Sequence, residues 1–128
     1  MNNGNMNNSV KSTLEESLSA FHLYERHDSL SIKGGRRKSI NYHKDTGPGA
    51  TKFYLEIYDN KCRILRIQIE EDRQGKGLGR QLYLCIENFC KRIGLSEIRL
   101  TPTYEAEEFW KKMGFVEIGK YESVKNLV

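Results

Sequence analysis

Apolar residues recur along this chain with two periods, and the switches between them mark its elements. Leu14, Leu18 and Phe21, with Ala20 and Tyr24, fall on one helical face, and Ser12 followed three residues on by Glu15 has the form of a capping box. The spacing predicts a helix from about Thr13 to Arg26, after an Asn-rich lead over residues 1–11 expected to be disordered. Period two then takes over in two short strands, Leu30 to Lys33 and Ser39 to His43, separated by Gly34-Gly35 and followed by a Gly/Pro loop from Asp45 to Gly49. Phe53, Leu55 and Ile57 share a face. Asp59-Asn60 turns the chain into Cys62 to Ile69, where Leu65, Ile67 and Ile69 alternate with Arg66 and Gln68, so Lys52 to Tyr58 and Cys62 to Ile69 read as an antiparallel hairpin. From Leu78 to Ile93 the period returns to 3.6, through Leu82, Cys85, Ile86 and Phe89, and Gly94 closes that helix. Ser96 to Leu100 alternates again. A helix is predicted from Pro102 and Thr103 through Phe109, Trp110 and Met113, ended by Gly114-Phe115, and a last strand from about Val116 to Ser123. The order α, β, β, β, β, α, β, α, β over residues 12–128 predicts a single α+β domain.

Composition narrows what such a domain does. The chain has 128 residues, a mean hydropathy of −0.68 and no apolar run near the ~20 residues of a membrane span. Met1 to Ser9 has no apolar core of a signal peptide, so a cytoplasmic location is expected. Cys62, Cys85 and Cys90 have neither zinc-type spacing nor a His at motif distance; they read as core thiols, and no metal site is expected. The formal charge of +4 is interleaved with acid. No RNP-like or helix-turn-helix pattern supports nucleic-acid binding. The densest basic stretch, Lys33, Arg36, Arg37, Lys38 and Lys44, reads as a solvated hairpin tip or as a contact for an acidic acceptor or partner.

The most informative stretch is Gln74-Gly75-Lys76-Gly77-Leu78-Gly79-Arg80, between a predicted strand and a predicted helix. Three alternate glycines at a helix N-terminus let the backbone approach a ligand, and successive N–H groups converge where the helix dipole favours an anion. A P-loop would need Lys-Ser/Thr after its second glycine, and a dinucleotide fingerprint would need a glycine at Arg80; both fail on spacing.

These residues resemble the (Gln/Arg)-x-x-Gly-x-(Gly/Ala) loop of the GNAT acetyltransferases. A second segment, with Ala106, Phe109, Trp110, Gly114 and Phe115, is similar to that family's Asn-x-x-Ala-x-x-Phe-Tyr-x-x-x-Gly-Phe. The resemblance spans about residues 52–119. It implies the layered α/β/α GNAT fold, with a mixed, mostly antiparallel sheet flanked by helices, and transfer of the acetyl group of acetyl-CoA, as co-substrate, directly to a primary amine. Carried over by position, it implies that main-chain groups near Ile67 and Ile69 bond the pantetheine arm, and that Gln74, Gly75, Lys76, Gly77, Leu78, Gly79 and Arg80 form the pyrophosphate cradle. The strands carrying Ile67 and Ile98 would splay apart for the thioester, and Leu78 would keep its side chain in the core.

Two positions depart from the family. Thr103 stands where an Asn often meets the pantetheine arm; its hydroxyl substitutes there or only caps the helix. Trp110 stands where many members have a Tyr that protonates the leaving thiolate, and an indole N–H is no useful acid. Tyr121, placed on the last strand, is the leading replacement acid, with Tyr104 behind it. Glu56 and Glu70 are the strand-borne candidates for the base. The acceptor amine is unidentified, and residues 20–50, which would shape its site, carry no readable signature. A homodimer would cover the sheet edges. The alternative function is a catalytically reduced CoA-binding sensor or interaction module.

Overall fold

A computed structural model of the chain describes residues 3–44, 51–69 and 77–128. Seven strands form one sheet in the order β1-β2-β3-β4-β5-β7-β6. Ser29–Gly34 (β1), Lys38–His43 (β2), Lys52–Tyr58 (β3) and Lys61–Gln68 (β4) make an antiparallel meander. Glu97–Leu100 (β5) joins β4 in parallel, and Ser123–Asn126 (β7) and Val116–Glu117 (β6) complete the sheet antiparallel to their neighbours. This is the mixed, mostly antiparallel sheet that the resemblance implied. The predicted strands appear within one or two residues, except at the C-terminal end. There the single strand from Val116 to Ser123 is instead the β6–β7 hairpin, its bend closed by the bond from the Ile118 N–H to the Glu122 carbonyl.

The first helix also differs. α1 runs Asn3–Leu18, so the expected disordered lead is helical from Asn3 and the Ser12/Glu15 box lies inside the helix. The physical cause is an anchor in the Asn-rich segment: Asn7 donates Nδ2 to the Gly34 carbonyl and accepts from the Lys38 ammonium, tying α1 to the β1–β2 turn. Its C-terminal end comes at Leu18 because Phe21 turns inward to full burial, and the next bonds, Phe21 N–H to Leu18 and Tyr24 N–H to Phe21, are tight i→i−3 turns.

The Leu78–Arg92 helix (α2) lies against α1, held by Arg92 on Glu16 and Ser17. A 3-10 turn, Tyr104–Ala106, leads into α3, Glu107–Lys112, shorter than the predicted helix. β1 to β5 and β7 each turn one set of side chains toward these helices, while both residues of β6 are exposed. Ile40, Tyr42, Phe53, Leu55, Cys62, Ile98 and Leu100 belong to that buried set, while the alternate residues of β3 and β5 are only partly covered. The described helices therefore pack on this face of the sheet. α3 shares this face with α2, because Lys125, cross-strand neighbour of buried Ile98, bonds both Glu87 of α2 and the Met113 carbonyl that ends α3.

Two polar clusters lock this layer. Lys44, grouped in the sequence with exposed basic residues, is in fact buried: its ammonium meets Asp28 at 3.2 Å and the Leu23 carbonyl at 2.6 Å, and Tyr42 donates to Asp28 at 2.7 Å. It pins the segment after α1 onto β2. In the second cluster Glu87, 8% exposed, accepts from Tyr83 at 2.9 Å and pairs with Lys125 at 2.5 Å and Lys91 at 3.2 Å. Burial pushes the Glu87 carboxyl up, but hydrogen bonds from Lys125, Tyr83 and Lys91 outweigh it and hold the group below its ordinary value. A carboxylate depressed in the folded state stabilises the fold above the unfolded pKa of about 4.3, and that contribution is lost as pH falls through the folded value. The urea midpoint of the wild type is accordingly expected to fall more steeply below about pH 4.3 than that of Glu87→Gln, which has no such charge to lose; parallel curves would refute this.

Candidate active site

The site follows from how β4 is paired. Along β3 it is bonded for its whole length, but β5 accompanies it only from Lys61 to Ile64, pairing Ile64 with Leu100. Past that point the two strands part and leave a cleft of roughly 600 Å³. One wall is Ile64 to Ile69, and the other runs from Leu100 through Thr103 to Ala106. Phe109, Trp110 and Gly79 close the end toward the helices. The splaying expected of the strands that carry Ile67 and Ile98 is thus present.

A bulge aims the first wall. Leu55 opposes Ile64 while the next residue back, Tyr54, opposes Arg66, so Leu65 is extra to the ladder. It therefore does not share a buried face with Ile67 and Ile69, as simple alternation had it; Leu65 is 56% exposed and lines the cleft, while Ile64 is buried. The adjacent apolar pair Ile64-Leu65 was the one sequence signal of this irregularity. Thr101 and Pro102, also in the lining, gave none.

At the helix end of the cleft, Gly77 is the N-cap of α2 with φ +74°, a left-handed conformation that glycine adopts without strain. The first bond into the helix is Gln81 N–H to the Gly77 carbonyl, so the amides of Leu78, Gly79 and Arg80 have no intrahelical acceptor, and no side chain among the described residues caps them. A Cβ on Gly79 would lie 3.9 Å from both Ile69 and Phe109, inside the cleft rather than in a neighbouring backbone. Leu78 is buried, as expected, and Arg80 is exposed. The start of this predicted cradle, Gln74, Gly75 and Lys76, lies outside the described residues.

Trp110 is 6% exposed, edge-on to Tyr83, Phe109 and Phe115 at centroid separations of 5.4, 4.9 and 5.2 Å, and still contributes to the cleft wall. Thr103 makes no side-chain cap bond, which removes the capping explanation, and it lines the cleft. Of the candidate acid and base groups, Tyr121 is not on a strand. It sits in the β6–β7 bend, 68% exposed, with the Lys120 ammonium over its ring, and it does not line the cleft. Tyr104 is likewise exposed. Glu56 lies on the far side of β4 from the cleft, 3.5 Å from Arg37. Glu70 falls outside the described residues. Cys62, Cys85 and Cys90 are free and buried; burial pushes the Cys85 thiol up, and the Cys62 contact with burial does the same to Cys90, so neither is a ready nucleophile. Among the described residues no cluster is placed to hold a metal ion, and no helix is long and apolar enough to cross a membrane.

A splayed β4/β5 pair with a glycine-capped helix whose first turn contributes Gly79 to the cleft lining is the arrangement of the acyl-CoA N-acyltransferase fold. The signature of an acetyltransferase (GNAT) domain matches residues 48–128, more than half of the chain, and the chain belongs to the GNAT acetyltransferase family. Solved structures agree on the fold. An acetyltransferase from Bacillus cereus superposes with a TM-score of 0.61 at 19% identity, covering 94% of this chain and 90% of that one. The ribosomal-protein-S18-alanine N-acetyltransferase from Escherichia coli gives 0.60 at 16% identity over 74% and 72% of the two chains. The PaiA N-acetyltransferase from Thermoplasma acidophilum, solved in complex with coenzyme A, gives 0.55 at 22% identity over 72% of this chain and 62% of that one.

Proposed function

We propose that this protein is an N-acetyltransferase that moves the acetyl group of acetyl-CoA directly to a primary amine. The observation that carries the reading is the cleft where β4 and β5 part, continuous with the uncapped amides of α2. In this reading the amides of Leu78, Gly79 and Arg80 take the pyrophosphate, with Gly77 setting their direction. The pantetheine arm lies along β4, bonded by main chain near Ile67 and Ile69, with the Thr103 hydroxyl on the opposite wall and Trp110 behind it. Gln74, Gly75 and Lys76 complete the cradle by the same positional argument.

The neutral amine attacks the thioester carbonyl, the C–S bond breaks, and the thiolate takes up a proton as the amide loses one. A backbone donor near Ile67 to Ile69 steadies the developing oxyanion. The described lining holds no Tyr, His, Asp, Glu or Lys side chain, so the described residues supply positioning and leave proton transfer to water. That same lining favours a second reading, a CoA-binding module with little or no turnover. Incubation with acetyl-CoA and a panel of amines and peptides, followed by thiol release, separates the two. Release that depends on acceptor is expected; CoA binding with no release on any acceptor would establish the module.

A further inference from the structure

We propose that the outer face of the sheet, the one the described helices leave uncovered, is a docking surface for an acidic polypeptide that presents its amine to the cleft. The proposal rests on the acetyl-transfer reading above for the fate of that amine, and on charge and geometry for the docking itself. No outward-facing residue of β1 to β5 is buried, although every inward neighbour on β3 is. The face is strongly charged and only partly self-neutralised. Arg37 pairs with Glu56, Arg63 with Glu122, and Arg99 with both Glu97 and Glu122, which uses all three of the carboxylates on it among the described residues. Lys33, Lys52, Lys61 and Arg66 lie on the same face with no carboxylate partner among the described residues.

Their placement gives direction. Lys52 and Arg66 flank Tyr54, and Arg66, which reaches only the neutral Gln68 amide, also lines the cleft. Lys33 and Lys61 lie toward the end of the sheet where β4 and β5 are still paired, and Lys52 and Arg66 at the end where they part, so a chain docked along these cations runs up to the cleft mouth. A polypeptide fits better than nucleic acid for two reasons. Fixed carboxylates interrupt the cations and would repel a continuous phosphate backbone, whereas acidic side chains on alternate residues of an extended peptide are about 7 Å apart and can pass between them. Single-stranded nucleic acid also needs a row of open aromatic faces to stack successive bases, and of the two tyrosines on this face, Tyr54 and Tyr58, only Tyr54 has no cation over its ring among the described residues. The Tyr58 ring is already covered by the Arg37 guanidinium at 4.1 Å, with the Lys61 ammonium at 5.9 Å.

The test uses a fluorescent peptide of alternating Glu and Ser with one central Lys, read by anisotropy against the wild type and against Lys33→Glu/Lys52→Glu/Lys61→Glu. None of these three lysines lines the cleft. The wild type is expected to bind the peptide, more weakly as salt rises, and the variant to bind it at least about tenfold more weakly with unchanged far-UV circular dichroism and CoA affinity. In acetylation of the same peptide, KM rises in the variant and kcat does not change. Equal binding by both proteins, no binding by the wild type, or binding of oligothymidylate in preference to the peptide would each overturn the proposal. Absence of CoA binding by the wild type would instead defeat the transferase reading and leave the anisotropy result standing.

Discussion

Gly77→Asp is expected to abolish measurable coenzyme A binding while leaving the protein folded, and Gly77→Asn to retain most of the affinity. The pair separates charge from backbone. Both substitutions put a non-glycine residue at φ +74°, which costs roughly 1–2 kcal/mol in the left-handed region, less for Asn and Asp than for other residues. Neither meets a clash among the described residues, none of which lies within 4 Å of a Cβ built there. What differs is a carboxylate at the mouth of the cradle. Two like charges about 4 Å apart at an effective dielectric near 20 repel by ~4 kcal/mol, on the order of a thousandfold in affinity. Isothermal titration with CoA reads the difference. Equal affinity in the two variants would show that no phosphate lies against the start of α2, and the assignment of the cleft as a CoA site would fall with it.

The candidate site was legible in the sequence as a pattern because the physics of that pattern is local. Alternate glycines before a helix, and a period that switches from two to 3.6 at Leu78, need no tertiary information, and the structure places Gly77 at the N-cap where that pattern put it. The splay of β4 from β5 was legible only through the resemblance, since nothing in residues 61–69 reveals where a parallel neighbour stops pairing. Long-range partners decided what local pattern misjudged. The Asn-rich lead looked unable to order itself, yet Asn7 finds Gly34 and Lys38. Lys44 looked like one more surface cation, yet Asp28 and the Leu23 carbonyl make a buried position tolerable. Tyr121 counted as a strand residue because the chain from Val116 onward lacks a strong turn signal; Gly119 and the Ile118–Glu122 bond make a bend instead. An acid or base is a geometric property of several strands at once, and no single-strand pattern reaches it.

Trp110 carries the second large effect, on stability. It is the only tryptophan of the chain, and its indole is the hub of an aromatic group in which Tyr83 from α2, Phe109 from α3 and Phe115 after it all meet it edge-on. Tyr83 is fixed in turn by its bond to Glu87, which Lys125 ties to the end of α3. The indole thus joins the short α3, which has little helical stability of its own at six residues, to the rest of the core. Trp110→Ala opens a cavity at this junction and is expected to cost about 3–5 kcal/mol, a large share of the ~5–15 kcal/mol by which such domains are stable. Trp110→Phe keeps a ring against Tyr83 and Phe115 and is expected to cost clearly less. Urea unfolding followed by far-UV circular dichroism suits both variants, since the indole signal is lost with the residue. A loss below about 1 kcal/mol for Trp110→Ala would show that the aromatic group is loosely packed; the indole would then matter to the cleft wall alone, and its effect would appear in CoA affinity without a change in the urea midpoint.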